Sequence, residues 1–250
     1  MKILIWCEFP KEVNWKEVPK GLEIFVACNS KKEYLKYKKY CIGVWPILDK
    51  KEGYWFSGYC SKESIDKLKE FDKKSIKIDI EPKLSRFQRT SLLGMLFYPF
   101  ILLSYGIPKN NLYLKKTIES LSSKKVIISG PPLPDFLLRF YGDNIKLKEG
   151  WCRNYFIYPT MFGRSFLVKK YFEWFIRRKI KQYGDKVIFG LGCIGKGIIG
   201  DEKEYKSLDE LKADVKWLNS LGVKNLVIFE LSGILKRSDF KTRFKDLTRL

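Results

Sequence analysis

Eight short apolar runs punctuate the chain: Ile3–Cys7, Glu23–Ala27, Ile42–Trp45, Ile76–Ile80, Val126–Ser129, Tyr155–Tyr158, Val187–Leu191 and Leu226–Phe229. Their shortness and their Ile, Val and Phe content are those of buried parallel strands. Helical patterns follow most of them. Leu208–Leu221 is the clearest, with Leu208, Leu211, Val215, Leu218 and Leu221 on the 3.6-residue period. Ser207 and Glu210 form an S-x-x-E capping box before it, and Gly222 stands where a helix stops. Ser61–Asp72 carries Ile65, Leu68 and Phe71 on one face, and Lys31–Tyr40 and Phe162–Tyr183 are helical in character. Strands alternating with helices make parallel βαβ units. Eight of them in 250 residues predict an α/β fold, a single (β/α)8 TIM-type barrel over residues 1–250. A doubly wound open sheet is the alternative.

The fourth run reads Ile76-Lys77-Ile78-Asp79-Ile80-Glu81-Pro82. Side chains alternate along a strand, so the isoleucines share one face and Lys77, Asp79 and Glu81 the other. In a barrel the isoleucines pack against the helices and the charged set points into the lumen. Charges there need partners or a task. Asp79 and Glu81 stand ~7 Å apart along the strand. Glu81 lies nearest the C-terminal rim, where barrel enzymes place their catalytic groups. Coupled carboxylates push their pKa values apart, which suits acid/base work on a glycosidic bond.

Composition narrows the chemistry. The chain is 45% hydrophobic and 31% charged, a globular balance. It contains no histidine, which excludes every mechanism that needs an imidazole base. The 6 cysteines form no CxxC pair, so a zinc site or disulfide framework is not expected, and reduced thiols point to a cytoplasmic protein. The first ten residues do not read as a signal peptide. The net charge of +21 favours anionic partners, spread along the whole chain. The run Ser91–Ile107, interrupted by Gly94 and Pro99, falls short of the ~20 residues a bilayer span needs and reads better as core helix. Arg164–Lys181 reads as an outer barrel helix with a solvated basic side.

The Asp79-Ile80-Glu81 step on a fourth strand resembles the end of the D-x-x-D-x-D-x-E strand of chitinase-like glycoside hydrolases, which are (β/α) barrels. The resemblance implies that Glu81 is the general acid. It implies that Asp79 orients Glu81 and stabilises a reacting acetamido group, and that Tyr158 assists. Lys77 stands where that family has an aspartate, and Lys74 and Ser75 replace the earlier part of the motif. The likeness spans one strand.

Other rim positions add candidates for binding. Glu8 follows the first strand, Asn29 the second, and Glu230 ends the eighth. With Asp79 and Glu81, Glu8 and Glu230 would ring one mouth, a set of oxygen ligands suited to Mg²⁺. Trp45 and Trp55 offer flat faces for a sugar ring, with Trp151 before the sixth strand as a further aromatic. Gly190–Gly197 contains a formal G-x-G-x-x-G without the helix that would make it a dinucleotide site. In a barrel the Gly192 and Lys196 region could cradle phosphate. The combined reading is a hydrolase acting on a carbohydrate, with no cofactor required. A metal- or phosphosugar-dependent lyase or isomerase is the alternative enzyme. A basic barrel at an anionic membrane surface is the non-enzymatic one, with nucleic acid a weaker partner.

Overall fold

The computed structural model describes residues 1–81, 100, 104, 106–198, 200, 202–240 and 242. Most of the apolar run at 91–107 therefore lies outside the described residues. Among those described, no helix is long and apolar enough to cross a membrane.

The strands are β1 (Lys2–Cys7), β2 (Glu23–Cys28), β3 (Gly43–Pro46), β4 (Ile76–Asp79), β5 (Val126–Gly130), β6 (Cys152–Phe156), β7 (Val187–Leu191) and β8 (Asn225–Phe229). All pair in parallel in sequence order, and β8 returns to β1 through Lys2↔Asn225 to Trp6↔Phe229, closing a barrel. The open-sheet alternative is thereby excluded. The helices are α1 (Lys31–Tyr37), α2 (Lys62–Asp66), α3 (Asn111–Glu119), α4 (Asp135–Phe140), α5 (Pro159–Phe162), α6 (Phe166–Tyr183), α7 (Leu208–Ser220) and α8 (Leu231–Lys236).

Strand alternation divides the core in two. Outward residues such as Ile5, Val26, Ile76, Ile78, Ile128 and Ile228 pack under the helices. A smaller inner cluster of Leu4, Trp6, Phe25, Trp45, Ile127 and Phe229 fills the lumen. β4 obeys the predicted alternation: Ile76, Ile78 and Ile80 join the outer layer, and Lys77 and Asp79 are buried inside.

Three boundaries differ from the sequence pattern. β6 starts at Cys152, so Tyr158 lies beyond the strand at the N-cap of α5. The predicted helix over Phe162–Tyr183 breaks at Gly163, whose φ of 88° belongs to the left-handed region that glycine tolerates. Ser61–Asp72 is a short α-helix continued as a 3-10 turn, Lys67–Phe71.

β3 ends early at Pro46, and the loop after it returns to complete the seam. Phe56 bridges to Ile80, donating to Asp79 O at 3.1 Å and accepting from Glu81 N at 2.9 Å. This bracket fixes the backbone that carries Asp79 and Glu81.

Candidate active site

The C-terminal mouth of the barrel is built on an ion pair. Lys77 Nζ lies 2.6 Å from Asp79 Oδ2, and both side chains are buried in the lumen. The ammonium stands 3.2 Å from the Trp45 ring centroid, with Trp6 at 5.0 Å and Phe156 at 5.8 Å. Aromatic faces partly replace the water the cation has lost. Burial lowers the Lys77 ammonium to about 8 and raises the Asp79 carboxyl, and the ion pair opposes both shifts.

Lys77 engages only one Asp79 oxygen. The Ser129 hydroxyl also meets the Asp79 carboxylate, and both amide atoms of Asn154 are buried without a hydrogen-bond partner. These residues are neighbours across three strands, through Asp79↔Ser129 and Ser129↔Asn154. A buried amide with neither atom paired is uncommon in a packed core. Glu81 is half-buried one step above Asp79, and its charge acts on both Lys77 and Tyr158.

Tyr158 reaches the mouth from α5. Its ring stacks on Phe229 at 6.2 Å and lies flat against Gly192, where a Cβ would stand 3.0 Å from the ring. Thr160 latches this turn to β7, bonding Gly192 O and accepting from Cys193 N at 3.0 Å. Burial lifts the Tyr158 hydroxyl well above its usual value, and Asp79, Glu81 and Glu8 add to the rise. Trp45 meets Phe229 edge-on at 6.4 Å. Trp45, Tyr158 and Phe229 thus form one aromatic wall beside the carboxylates.

Barrel closure makes Glu8 and Glu230 neighbours, as the eight-strand count requires. Glu230 accepts the backbone N–H of Glu8. It also accepts from Ser232 N at 3.0 Å and Gly233 N at 2.7 Å, capping α8. Glu8 accepts from Ile198 N at 2.9 Å and from the Tyr54 hydroxyl. Burial lifts its carboxyl to about 8, with Glu202 and Glu230 contributing. Among the described residues, no group of three Asp, Glu, Cys or His side chains is arranged to hold a metal ion.

The glycine loop differs from the expected anion cradle. Gly197 N donates to Glu202 at 3.2 Å and Ile198 N to Glu8, so the chain's own acids occupy those amides. A Cβ at Gly197 would meet Glu202 Oε1 at 2.5 Å and Glu8 Oε2 at 3.0 Å, so glycine is needed there. Glu230 fills the first turn of α8, where barrels commonly hold phosphate. Lys196 is exposed and lines a pocket with Glu230, Ser232 and Gly233.

Asn29 is exposed at the head of α1, where its N–H meets Glu33 at 3.0 Å. Trp55 is half-buried beside Tyr54 in the β3–β4 loop. Trp151 does not belong to the mouth: it is buried at the opposite end of β6, with Nε1 on Ser123 O at 3.1 Å. Ser129, Asn154 and Glu202 are not expected from the sequence, whereas Tyr54 belongs to the aromatic loop Gly53-Tyr54-Trp55-Phe56 after the third strand. Alternation along β5 and a β6 begun at Cys152 would have flagged Ser129 and Asn154. Tyr54 and Glu202 come from loops that carry no periodic signal.

The class is thus fixed as a (β/α)8 barrel with a charged, aromatic-walled mouth. No protein-family model matches the chain, and no curated protein matches its sequence. Among solved structures, it is similar to the PgaB (BpsB) glycoside hydrolase domain from Bordetella bronchiseptica, with 11% identity, a TM-score of 0.53 and 97% of each chain covered. It also aligns with a family 18 chitinase from Crocus vernus, with 15% identity, a TM-score of 0.48, and 100% of this chain and 99% of that one covered. At these identities the likeness is one of fold.

Proposed function

We propose that this barrel is a glycoside-hydrolase-like hydrolase that cleaves a carbohydrate, with Glu81 as its proton donor and acceptor. The observation that carries the reading is the inward Asp79–Glu81 step at the C-terminal rim, beside the aromatic wall of Trp45, Tyr158 and Phe229. The barrel shared with a protein titled a glycoside hydrolase domain supports it. Glu81, being half-buried, is reachable from the mouth, whereas Asp79 is almost sealed. Glu81 therefore meets the leaving-group oxygen. Asp79, held by Lys77, sets a negative charge below the reacting carbon, where positive charge builds in an oxocarbenium-like transition state. Tyr158 lies against Phe229 at the rim and bounds the space for the sugar ring.

Lys77 in place of an aspartate makes this mouth differ from the pattern it resembles. Lys77 supplies the cation that favours the ionised form of Asp79 beneath Glu81. The test is turnover of a panel of oligosaccharides and aryl glycosides by the full chain and by Glu81→Gln. The amide is nearly isosteric, so circular dichroism should be unchanged while turnover falls by roughly 10²–10⁴-fold or more. Undiminished turnover in a folded Glu81→Gln protein would remove Glu81 from this role.

A further inference from the structure

An open groove of about 420 Å³ lies between the head of α3 and α4, lined by Ile107, Pro108, Asn111, Phe136, Arg139 and Phe140. Its large apolar side chains face outward: Ile107 is 91% exposed, Phe136 62% and Phe140 45%, and Leu112, next to Asn111 in the chain, is 63% exposed. Such a patch on a protein surface marks a contact with something else. The groove is rigidly built. Asn111 Nδ2 donates to Phe140 O at 2.9 Å, joining the head of α3 to the end of α4. Tyr59 OH holds Gly106 O at 3.0 Å. Gly58 N donates to Tyr141 O and Asn110 N to Gly58 O, tying both walls to the loop that brackets Asp79 and Glu81.

The exposed charges nearest the groove are cations, Lys109, Lys116 and Arg139, while Lys115 is paired with Glu119 at 3.9 Å on the same helix as Leu112. Residues 106–118 contain no acid, and the acid that opens α4, Asp135, is tied to Lys179 and Gln182. Protruding aliphatic and aromatic side chains flanked by cations match the boundary of an anionic bilayer, where apolar groups enter the acyl layer and lysine and arginine stay among the phosphates. A protein partner would have to supply a complementary acidic rim. A bilayer supplies it by composition, and the net charge of +21 steers the chain toward it.

We propose that this groove docks the barrel on an anionic lipid surface, with Ile107, Phe136 and Phe140 inserted and Lys109 and Arg139 at the headgroups.

The test is co-sedimentation of the full chain with vesicles of phosphatidylglycerol and phosphatidylcholine, against phosphatidylcholine alone. Binding to the anionic vesicles is expected at low salt and should weaken as salt rises. Each cation reversed, Lys109→Glu or Arg139→Glu, should weaken partitioning by about fivefold or more. Ile107→Ser with Phe136→Ser should weaken it roughly tenfold. Phe166→Ser, an equally exposed position at the head of α6, should leave it unchanged. All are surface changes, and an unaltered thermal midpoint certifies each fold. Failure to bind anionic vesicles overturns the proposal, as does binding that responds to the charge variants but not to the Ile107/Phe136 pair. So does sedimentation velocity showing a vesicle-independent dimer that those substitutions dissolve, since a second copy would then cover the groove.

Discussion

The barrel wall has a buried ion pair on each side, and the two are built differently. Outside, under the helices, Arg153 grips Asp143 through two parallel N–H bonds, with a guanidinium nitrogen on each carboxylate oxygen. Lys179 and Asp135 form a second pair nearby, and Gly130 leaves room for the Asp143 carboxylate, which a Cβ would approach to 2.8 Å. Inside, Lys77 touches one oxygen of Asp79, the Ser129 hydroxyl meets the same carboxylate, and the Asn154 amide stays unpaired. The outer pair uses both carboxylate oxygens to hold Asp143 against β6. Burial alone does not distinguish the two pairs. The distinction lies in how the carboxylate is held, by two parallel bonds from one guanidinium outside and by a single ammonium and a hydroxyl inside.

The largest effect should come from breaking the outer pair. Asp143→Asn leaves Arg153 buried without a counter-charge, and arginine cannot shed its proton. The expected loss is about 3–5 kcal/mol in urea unfolding, nearly independent of pH between neutrality and mild acid. A loss below about 1 kcal/mol would show that Arg153 finds another partner and would erase the contrast with the inner pair.

Lys77→Met should cost less, about 2 kcal/mol near pH 6, because Asp79 can take up a proton when its partner is gone. Its folded pKa, already raised by burial, rises further without the ammonium. The folded state then keeps a proton that the unfolded chain releases, so stability falls as pH rises above the unfolded carboxylate pKa. The wild type shares this slope up to its own raised Asp79 pKa, so the deficit should widen only above that point, by up to roughly 1.4 kcal/mol per pH unit, until Asp79 of the folded variant ionises. A pH-independent deficit would mean that Asp79 stays charged without Lys77.

Glu8 sharpens the same point at the rim. Its folded pKa of about 8 stands above the ordinary 4.5. Between those values the folded state holds a proton that the unfolded state has lost, so Glu8 subtracts stability progressively as pH rises through that window. Glu8→Gln removes this slope. The expected gain is about 1–2 kcal/mol near pH 8, because lost bonds from Ile198 and Tyr54 offset part of it, and it should turn into a loss toward pH 4.5, where the linkage gain is gone and the lost bonds remain. Thermal midpoints measured across that range give both sign and slope.

This division between layers also explains what could be read from the chain. β7 and the inward face of β4 were legible because each depends on local alternation, and the lumen confirms the parity of Lys77 and Asp79. The start of β6 was not. Arg153 points outward into the core and looks unlike a strand residue until Asp143, ten positions earlier, is brought against it. Glu230 is legible both as a rim acid and as a helix N-cap, the usual place of a single acid at a strand end, and it caps α8. Glu8 and Glu230 meet through closure of β1 on β8, as the eight-strand count implies. How each carboxylate is spent depends on loop amides such as Gly197 and Ile198, whose positions no periodicity encodes.

The smallest effect tests the most local signal. Ser207 was read as an N-cap from S-x-x-E alone, and its hydroxyl accepts from Glu210 N at 3.3 Å. The return half of the box is missing. Glu210 instead accepts from Lys206 N at 2.8 Å and pairs with Arg164 at the approach to α6. Ser207→Ala should therefore cost about 1 kcal/mol, the value of one cap, without disturbing the Arg164 contact. Glu210→Ala should cost a similar amount by loosening α7 from Arg164 rather than by uncapping it. The two losses should add, since they act on separate bonds. A strong coupling between them in a double-mutant cycle would mean that the reciprocal box forms in solution, and that the outer layer at this point is closed locally rather than by its neighbour α6.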